Sequence, residues 1–366
     1  MVQEKMRYIF ASGTDFKNRQ LTGAHKRFIE LVNSVAKNNE VSLVSFPYEG
    51  FSKENVINYP ICKKIGLFLP KHISEFLTLL KYLRKYKSTI KYDHAVSFGA
   101  MISICYSVAG IKKITTLFRE DIVGYQEAVN ASKLKILYFY LLETFAIKVS
   151  EKIIVQCMHD KNELLKRHKG IEKKVFIQGN NLNTSWNQGI NQSRKQNSIP
   201  QLLFIGNFSD NRKGHHLLFP AIVQLLEEKI KFELYVLGDG KDLKEYEERY
   251  KKFGDIHFLG HLNNIRNYLE KCDIEIVPSV IDSCPNTVLE GLNAGLVVYG
   301  SNTGGIPDLL ENPAYMFEPK VEKIFSFLKY KLETKEYIRD RLEQNSLRDK
   351  FIFDWGLAVE RIITAK

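Results

Sequence analysis

Twice along this chain, short apolar runs alternate with longer amphipathic stretches, and a polar segment separates the two series. The first series predicts buried strands at residues 7–11, 41–46, 95–98, 114–118 and 153–156, with a first helix over residues 23–38. The second predicts strands at residues 202–205, 233–237, 256–259, 274–278 and 296–299. Strands joined by helices build a parallel sheet covered on both faces, so each series predicts one α/β layer structure. Residues 184–200, TSWNQGINQSRKQNSIP, are rich in Asn, Gln and Ser and close with proline, which marks the linker. A length of 366 residues also exceeds what one hydrophobic core usually supports. Two doubly wound domains facing each other across a cleft are therefore expected, with ligands held by loops beyond the carboxyl ends of strands.

Composition removes several function classes. The opening MVQEKMRYIFASG has too short an apolar stretch for a signal peptide, and the longest apolar runs carry charges and fall short of a bilayer span. The expectation is a protein neither secreted by that route nor membrane-spanning. Five scattered cysteines without CxxC spacing argue against a disulfide framework and against a zinc site, and fit a reducing cytoplasm. The net charge of +11 is unevenly placed: residues 1–200 hold 31 Lys+Arg against 16 Asp+Glu, and residues 201–366 hold 22 against 26. A basic first half predicts an anionic partner there, whether nucleic acid, an anionic membrane or an acidic substrate. No zinc finger, RRM core motif or KH loop favours nucleic acid.

The sharpest local signal is IEIVPSVIDSCPNTVLEGLNAGLVVYGSNTGG, residues 274–305. A strand ends at Pro278, a loop carries Asp282, and a helix begins near Asn286 or Thr287 with Glu290 in its first turns. A helix N-terminus offers unpaired backbone N–H groups and the positive end of a dipole, which suits a diphosphate. A carboxylate just inside such a helix can accept from ribose hydroxyls, or simply stabilise the dipole. Asp282 could reach a sugar hydroxyl or offset positive charge growing at an anomeric carbon.

The stretch resembles the retaining glycosyltransferases of family 4, whose GT-B fold pairs two Rossmann-like domains. Their Glu-x7-Glu signature stands here as PSVIDSCPNTVLEGLNAG, with Asp282 replacing the first Glu and Glu290 matching the second. The resemblance extends upstream through LLFIGNFSDNRKGHHLLF, where Gly206, Lys213 and Gly214 match the family's Gly-Arg and Lys-Gly positions. Asn207 occupies the usual arginine position, and Arg212 is the cation that could compensate. It continues through YVLGDG (Gly238, Gly240), FLGHL and SNTGGIPDLL (Gly304, Gly305). It implies catalytic roles for Asp282, Lys213 and Glu290. It implies donor contacts from Gly206, Asn207, Arg212, Lys213, Gly238, Phe258, His261, Asn286, Thr287, Val288 and Glu290, with Phe258 to His261 near the base. A cation is needed because the leaving diphosphate gains charge, and no metal ligands are evident.

The first half resembles the family more loosely. Gly23 follows Thr22 where relatives often have paired glycines, and His25 and Lys26 open the helix behind them. In place of the family's His-Asp pair the chain reads Arg119, Glu120, Asp121. Arg119 could contact a phosphate or acidic acceptor, and Glu120 or Asp121 could assist its deprotonation; a solvated charge cluster is the plain alternative. Asn180 lies beyond a strand end, where the cleft is expected. Residues 71–92, KHISEFLTLLKYLRKYKSTIKY, place Ile73, Phe76, Leu77, Leu80 and Leu83 at helical spacing with basic residues on other faces. That helix could lie on an anionic membrane or be an ordinary domain helix.

The resemblance therefore implies an acceptor-binding domain at residues 1–184, a linker at 185–200, a nucleotide-sugar domain at 201–350 and a helix at 351–366 crossing back to the first domain. The expected activity is metal-independent glycosyl transfer from a nucleotide diphosphate-sugar to a saccharide or lipid-linked acceptor. No cofactor beyond that donor and no nucleic acid is expected, and the site of action is cytoplasmic, peripheral to the inner membrane face. A non-catalytic GT-B scaffold and an epimerase-like GT-B enzyme are the alternatives.

Overall fold

The computed structural model describes residues 5–17, 23–65, 70–182, 197–262 and 264–365, in two compact units. Most of the expected linker, residues 185–196, lies outside the described residues, as does Thr22.

The first unit comprises Met1–Gln156, Asp160–Gly179 and Asp354–Lys366. Its chain runs β1 (Arg7–Ala11), α1 (Gly23–Ala36), β2 (Glu40–Ser45), β3 (Val56–Pro60), α2 (Lys71–Tyr86), β4 (His94–Phe98), α3 (Ala100–Val108) and β5 (Ile114–Leu117). It continues through α4 (Ile122–Ala128), α5 (Lys133–Val149), β6 (Ser150–Val155), α6 (Met158–Arg167) and β7 (Val175–Ile177). The strands pair in parallel in the order β3-β2-β1-β4-β5-β6-β7. Central β1 has Tyr8, Ile9, Phe10 and Ala11 fully buried, the signature of a strand covered on both faces.

Edge strands are where the sequence pattern failed. β3 reads VINYP and buries only Val56, so its composition carries no apolar run, and at an edge its proline is tolerated. The expected face of α2 is also corrected. Ser74, Thr78, Leu79, Tyr82 and Leu83 are buried, whereas Ile73 and Leu77 are exposed. Two polar side chains face inward because they have partners there: Thr78 Oγ1 accepts from the Ile65 N–H, and Ser74 Oγ donates to the Ile65 carbonyl. The Tyr82 hydroxyl accepts from the Lys63 N–H at 3.0 Å.

The second unit holds Cys157–His159 and Asn180–Phe353. It runs β8 (Gln201–Ile205), α7 (His215–Glu227), β9 (Glu233–Leu237), α8 (Leu243–Tyr250), β10 (Ile256–Gly260), α9 (Arg266–Lys271), β11 (Ile274–Val277) and α10 (Asn286–Asn293). After these come β12 (Val297–Ser301), α11 (Ile306–Leu310), β13 (Met316–Phe317), α12 (Val321–Thr334) and α13 (Tyr337–Asp349). The parallel order is β10-β9-β8-β11-β12-β13. β13 spans only two residues, and the Gln344 amide of α13 bonds both the N–H and C=O of Val298 on β12, satisfying backbone that β13 does not reach.

In both sheets the chain winds outward from the first strand, then returns to lay the fourth strand against its other side. The switch points fall between β1 and β4 and between β8 and β11. The final helix, α14 (Trp355–Thr364), belongs to the first unit and packs on α1. Asp354 caps it by accepting from the Leu357 N–H, and also takes the Ser34 hydroxyl and the Lys37 ammonium.

Candidate active site

At the β8/β11 switch point, adjacent strands send their following segments to opposite sides, leaving a crevice with backbone groups at its rim. After β8 come Gly206, Asn207 and a 3-10 turn at Asn211–Lys213, closed by Gly214 in the left-handed region at φ 73°. A Cβ on Gly214 would lie 1.8 Å from the Pro278 carbonyl oxygen, so only glycine lets this turn touch the segment after β11. The Val280 N–H then donates to the Arg212 carbonyl at 2.8 Å, fastening the two segments together.

This brings together two charges far apart in the chain. Lys213 Nζ donates to Asp282 Oδ2 at 2.5 Å, and both side chains are largely buried. The segment after β12 closes on the same loop. The Gly305 N–H donates to the Asp282 carbonyl at 2.8 Å, and a Cβ on Gly305 would lie 1.8 Å from Ser283 O. Ser301 and Thr303 hydroxyls both donate to the Ser279 carbonyl. Asp282 thus sits in a loop held from two sides.

α10 begins immediately beyond. Its N-cap is Pro285, which provides no side-chain cap, so the first-turn N–H groups are not closed off by a capping side chain. Val288, Leu289, Gly291, Leu292 and Asn293 are its buried residues, leaving Asn286, Thr287 and Glu290 on a half-exposed face. Asn286 and Glu290, four apart, share one side of the helix. The Thr287 hydroxyl is buried without a hydrogen-bond partner, as is that of Ser279. Val288 is fully buried in the core, so its contribution to a ligand is limited to its backbone.

Asn180 was expected in the first domain, beside the acceptor. It belongs to the second unit, donating through Nδ2 to the Cys284 carbonyl and to Asn286 Oδ1, both at 3.0 Å. It therefore braces the start of α10. Phe258, expected near the base, is partly buried and stacks on Phe219 at 5.5 Å against the core, because inward-facing positions of β10 must cover α7. Asn207 donates to Asp239 Oδ1 at 2.9 Å, and His261 lies 3.9 Å from the same carboxylate, so the ends of β8, β9 and β10 form one polar row. Gly238 makes that row possible: at φ 142°, its Cβ would lie 1.7 Å from Gly206 O. The Arg212 guanidinium is half-buried in the turn.

Sequence reasoning missed Glu275. It stands in the middle of β11, fully buried, with both carboxylate oxygens lacking a hydrogen-bond partner. A Cβ on Gly291 would lie 2.2 Å from Glu275 Oε2, so the carboxyl rests against α10 one residue from Glu290. Desolvation first, and then the Glu290 charge, push its pKa well above the ordinary carboxylate value, with Lys213 opposing. The signal was available: an acid inside the otherwise apolar strand IEIV.

In the first unit, Gly23 opens α1 and His25 sets its ring edge-on to Phe16 at 5.7 Å. Arg119 lies over Phe98 at 4.9 Å and over Trp355 at 5.7 Å, stacked on aromatic faces. Glu120 is half-buried beside it. Asp121, expected as a possible base, is otherwise committed. It caps α4 by accepting from the Gly124 N–H, and it binds Arg167 with both oxygens, at 2.5 and 3.2 Å. Arg167 also grips buried Glu143, which accepts from His168 at 2.9 Å. Buried carboxylates so paired hold helices together. Among the described residues there is no cluster of three or more His, Cys, Asp or Glu able to hold a metal.

Comparison with known proteins agrees with this geometry. Residues 199–328 match the family model described as Glycosyl transferases group 1. Protein CapJ of Staphylococcus aureus is 27% identical over 38% of this chain, and the match spans 37% of CapJ's own length. The Escherichia coli UDP-Gal:alpha-D-GlcNAc-diphosphoundecaprenol alpha-1,3-galactosyltransferase is 24% identical, covering 73% of this chain and 71% of that relative. Among solved structures, sucrose-phosphate synthase from Thermosynechococcus elongatus superposes with a TM-score of 0.76 at 12% identity, covering 98% of both chains. At that identity the likeness speaks for the fold, two Rossmann-like parallel-sheet domains of the GT-B class.

Proposed function

We propose that this chain, a glycosyltransferase of the group 1 type, moves a sugar from a nucleoside diphosphate to a saccharide on a lipid carrier, retaining the anomeric configuration. The observation that carries the reading is the Lys213–Asp282 pair at the switch point, beside the N-terminus of α10. The E. coli relative's name, which specifies a UDP-sugar donor and a diphosphoundecaprenol acceptor, supports the substrate classes.

As the donor's C1–O bond breaks, its electron pair moves onto the diphosphate. An ammonium has three N–H donors; Lys213 donates one to Asp282, and the other two serve the growing phosphate charge together with the first-turn N–H groups of α10. The acceptor hydroxyl bonds C1 on the face the diphosphate leaves, and its proton passes to the departing diphosphate. Glu290 holds the ribose hydroxyls and Asp282 a hydroxyl of the sugar. Lys213 does what a divalent cation would otherwise do, so no metal is required. The same reading has the enzyme working from the cytoplasmic side, against the inner membrane surface.

The test is a panel of nucleotide-sugars, read as nucleoside diphosphate release and thermal stabilisation, with and without a membrane lipid extract and with EDTA. One donor should stabilise the protein, the extract should stimulate release, EDTA should leave the rate unchanged, and Glu290→Ala should abolish donor binding or turnover. Near-wild-type kinetics for Glu290→Ala would refute the site. Stabilisation by no donor would favour a scaffold, and acceptor-independent turnover an epimerase-like enzyme.

A further inference from the structure

α5 is the least buried long helix of the first unit. Of its 17 residues only Glu143, Ala146 and Ile147 are buried, where it packs on α3 and α4. Yet its sequence, KLKILYFYLLETFAIKV, is dominated by large apolar side chains. Leu134, Leu137, Tyr138, Leu141 and Phe145 all stand exposed, Leu134 at 80% and Phe145 at 53%. Their spacings of three and four place them on one face of the helix. Single exposed leucines need no explanation, but a continuous row of this length is a surface that expects to be covered.

The row does not end with α5. The ring of Tyr138 lies 6.5 Å from that of His72 on α2, and Ile73 and Leu77, exposed on α2, extend the apolar area. The same outward side of α2 continues into Lys81, Arg84 and Lys85. On α5 the charged residues at the exposed surface are Lys133, Lys135 and Lys148, and the helix's one acid, Glu143, is buried against Arg167 and His168. The surface is therefore apolar at its centre and basic at its margin.

That pattern selects the occupant. A second copy docking by two-fold symmetry would bring the lysine margin against itself, and like charges across an interface oppose association. An anionic bilayer satisfies both parts: leucine and phenylalanine enter the acyl boundary, tyrosine sits at headgroup level, and lysines meet the lipid phosphates. We propose that the outer face of α5, continued by Ile73 and Leu77 of α2, docks the chain onto an anionic phospholipid membrane. This deepens the lipid-carrier reading by naming the surface that would bring the enzyme to its acceptor, and rests on that reading only for its purpose.

Flotation of the full chain tests it without any chemistry. Vesicles of phosphatidylglycerol with phosphatidylcholine should carry the protein upward, and phosphatidylcholine alone should carry roughly ten-fold less. The variant Leu134→Ser/Leu141→Ser/Phe145→Ser should lose flotation by about ten-fold or more. Leu342→Ser, an equally exposed leucine on α13 of the second unit, should float like the unaltered protein. Cooperative urea unfolding reports whether the triple variant still folds, and Leu134→Ser alone, at the most exposed position, supplies a milder version. Undiminished flotation of the triple variant, or no flotation of the unaltered protein, overturns the proposal. So does a dimer in sedimentation that the triple variant dissolves, since the occupant would then be a second copy. Donor binding can fail while flotation succeeds, or the reverse, so the two readings fall separately.

Discussion

The two units carry one strand order and use it differently. In the second, the segments after β8, β11 and β12 are drawn together by glycines with no room for a Cβ, and the meeting point holds Lys213, Asp282 and the uncapped start of α10. In the first, the corresponding loop after β5 gives Asp121 to an ion pair with Arg167 and stacks Arg119 on Phe98 and Trp355. In the second unit Lys213 and Asp282 meet at the switch point, whereas in the first Asp121, Glu143 and Arg167 are locked between helices. A Rossmann-like sheet supplies a place for chemistry, and the loops decide whether it is used.

If the Asp121–Arg167–Glu143 group is architecture, its loss should be felt as stability. Arg167→Ala removes the cation shared by two buried carboxylates and should lower the unfolding free energy by about 3–5 kcal/mol, measured in urea. Donor-induced stabilisation of the second unit should survive wherever the variant is folded. A loss of activity at full stability would break the contrast and return Asp121 to the chemistry.

Lys213→Ala is the converse experiment. It should lower kcat/KM by roughly 10²–10³, about 3–4 kcal/mol of transition-state stabilisation, in protein that still unfolds cooperatively in urea. A fall of less than ten-fold would mean that another cation holds the diphosphate.

The smallest expected effect concerns pH. His215 opens α7, fully buried against Phe208 and Tyr246, and desolvation followed by the charge of His216 pushes its pKa down to about 4. The unfolded chain binds this proton near pH 6.5 and the folded chain does not, so stability is complete above that value and is lost as pH falls toward 4. The loss should reach about 3 kcal/mol at most. His215→Phe should flatten the dependence across this window in the second unit. An unchanged acid profile would place the sensitivity elsewhere.

Much of the second unit was legible because its signals are local. The strand ending at Pro278, the helix starting at Asn286 and the pairing of Lys213 with Gly214 are short-range patterns of apolar residues, helix starts and turn glycines. Phe258 and Asn180 show one limit of local reading: neighbouring residues do not say which way a side chain faces. Phe258 faces α7 and Asn180 reaches across 106 residues to Asn286. β3 escaped notice because an edge strand buries too little to need an apolar run. Of the apolar positions read along α2, Leu83 is buried while Ile73 and Leu77 are exposed, because the buried face also serves the backbone groups of Ile65 and Lys63 through Ser74, Thr78 and Tyr82.

Periodicity and charge distribution were enough to determine two α/β layers and a basic first half, and the resemblance to a known family pointed to Asp282 and Glu290. These are properties of chain segments, in which backbone preference and burial act over a few residues. That Lys213 meets Asp282, that Glu275 lies buried against α10, and that α5 turns its leucines outward was decided by tertiary structure. Each depends on which surfaces remain once the sheets have been covered, a competition among distant segments that no single stretch of sequence records.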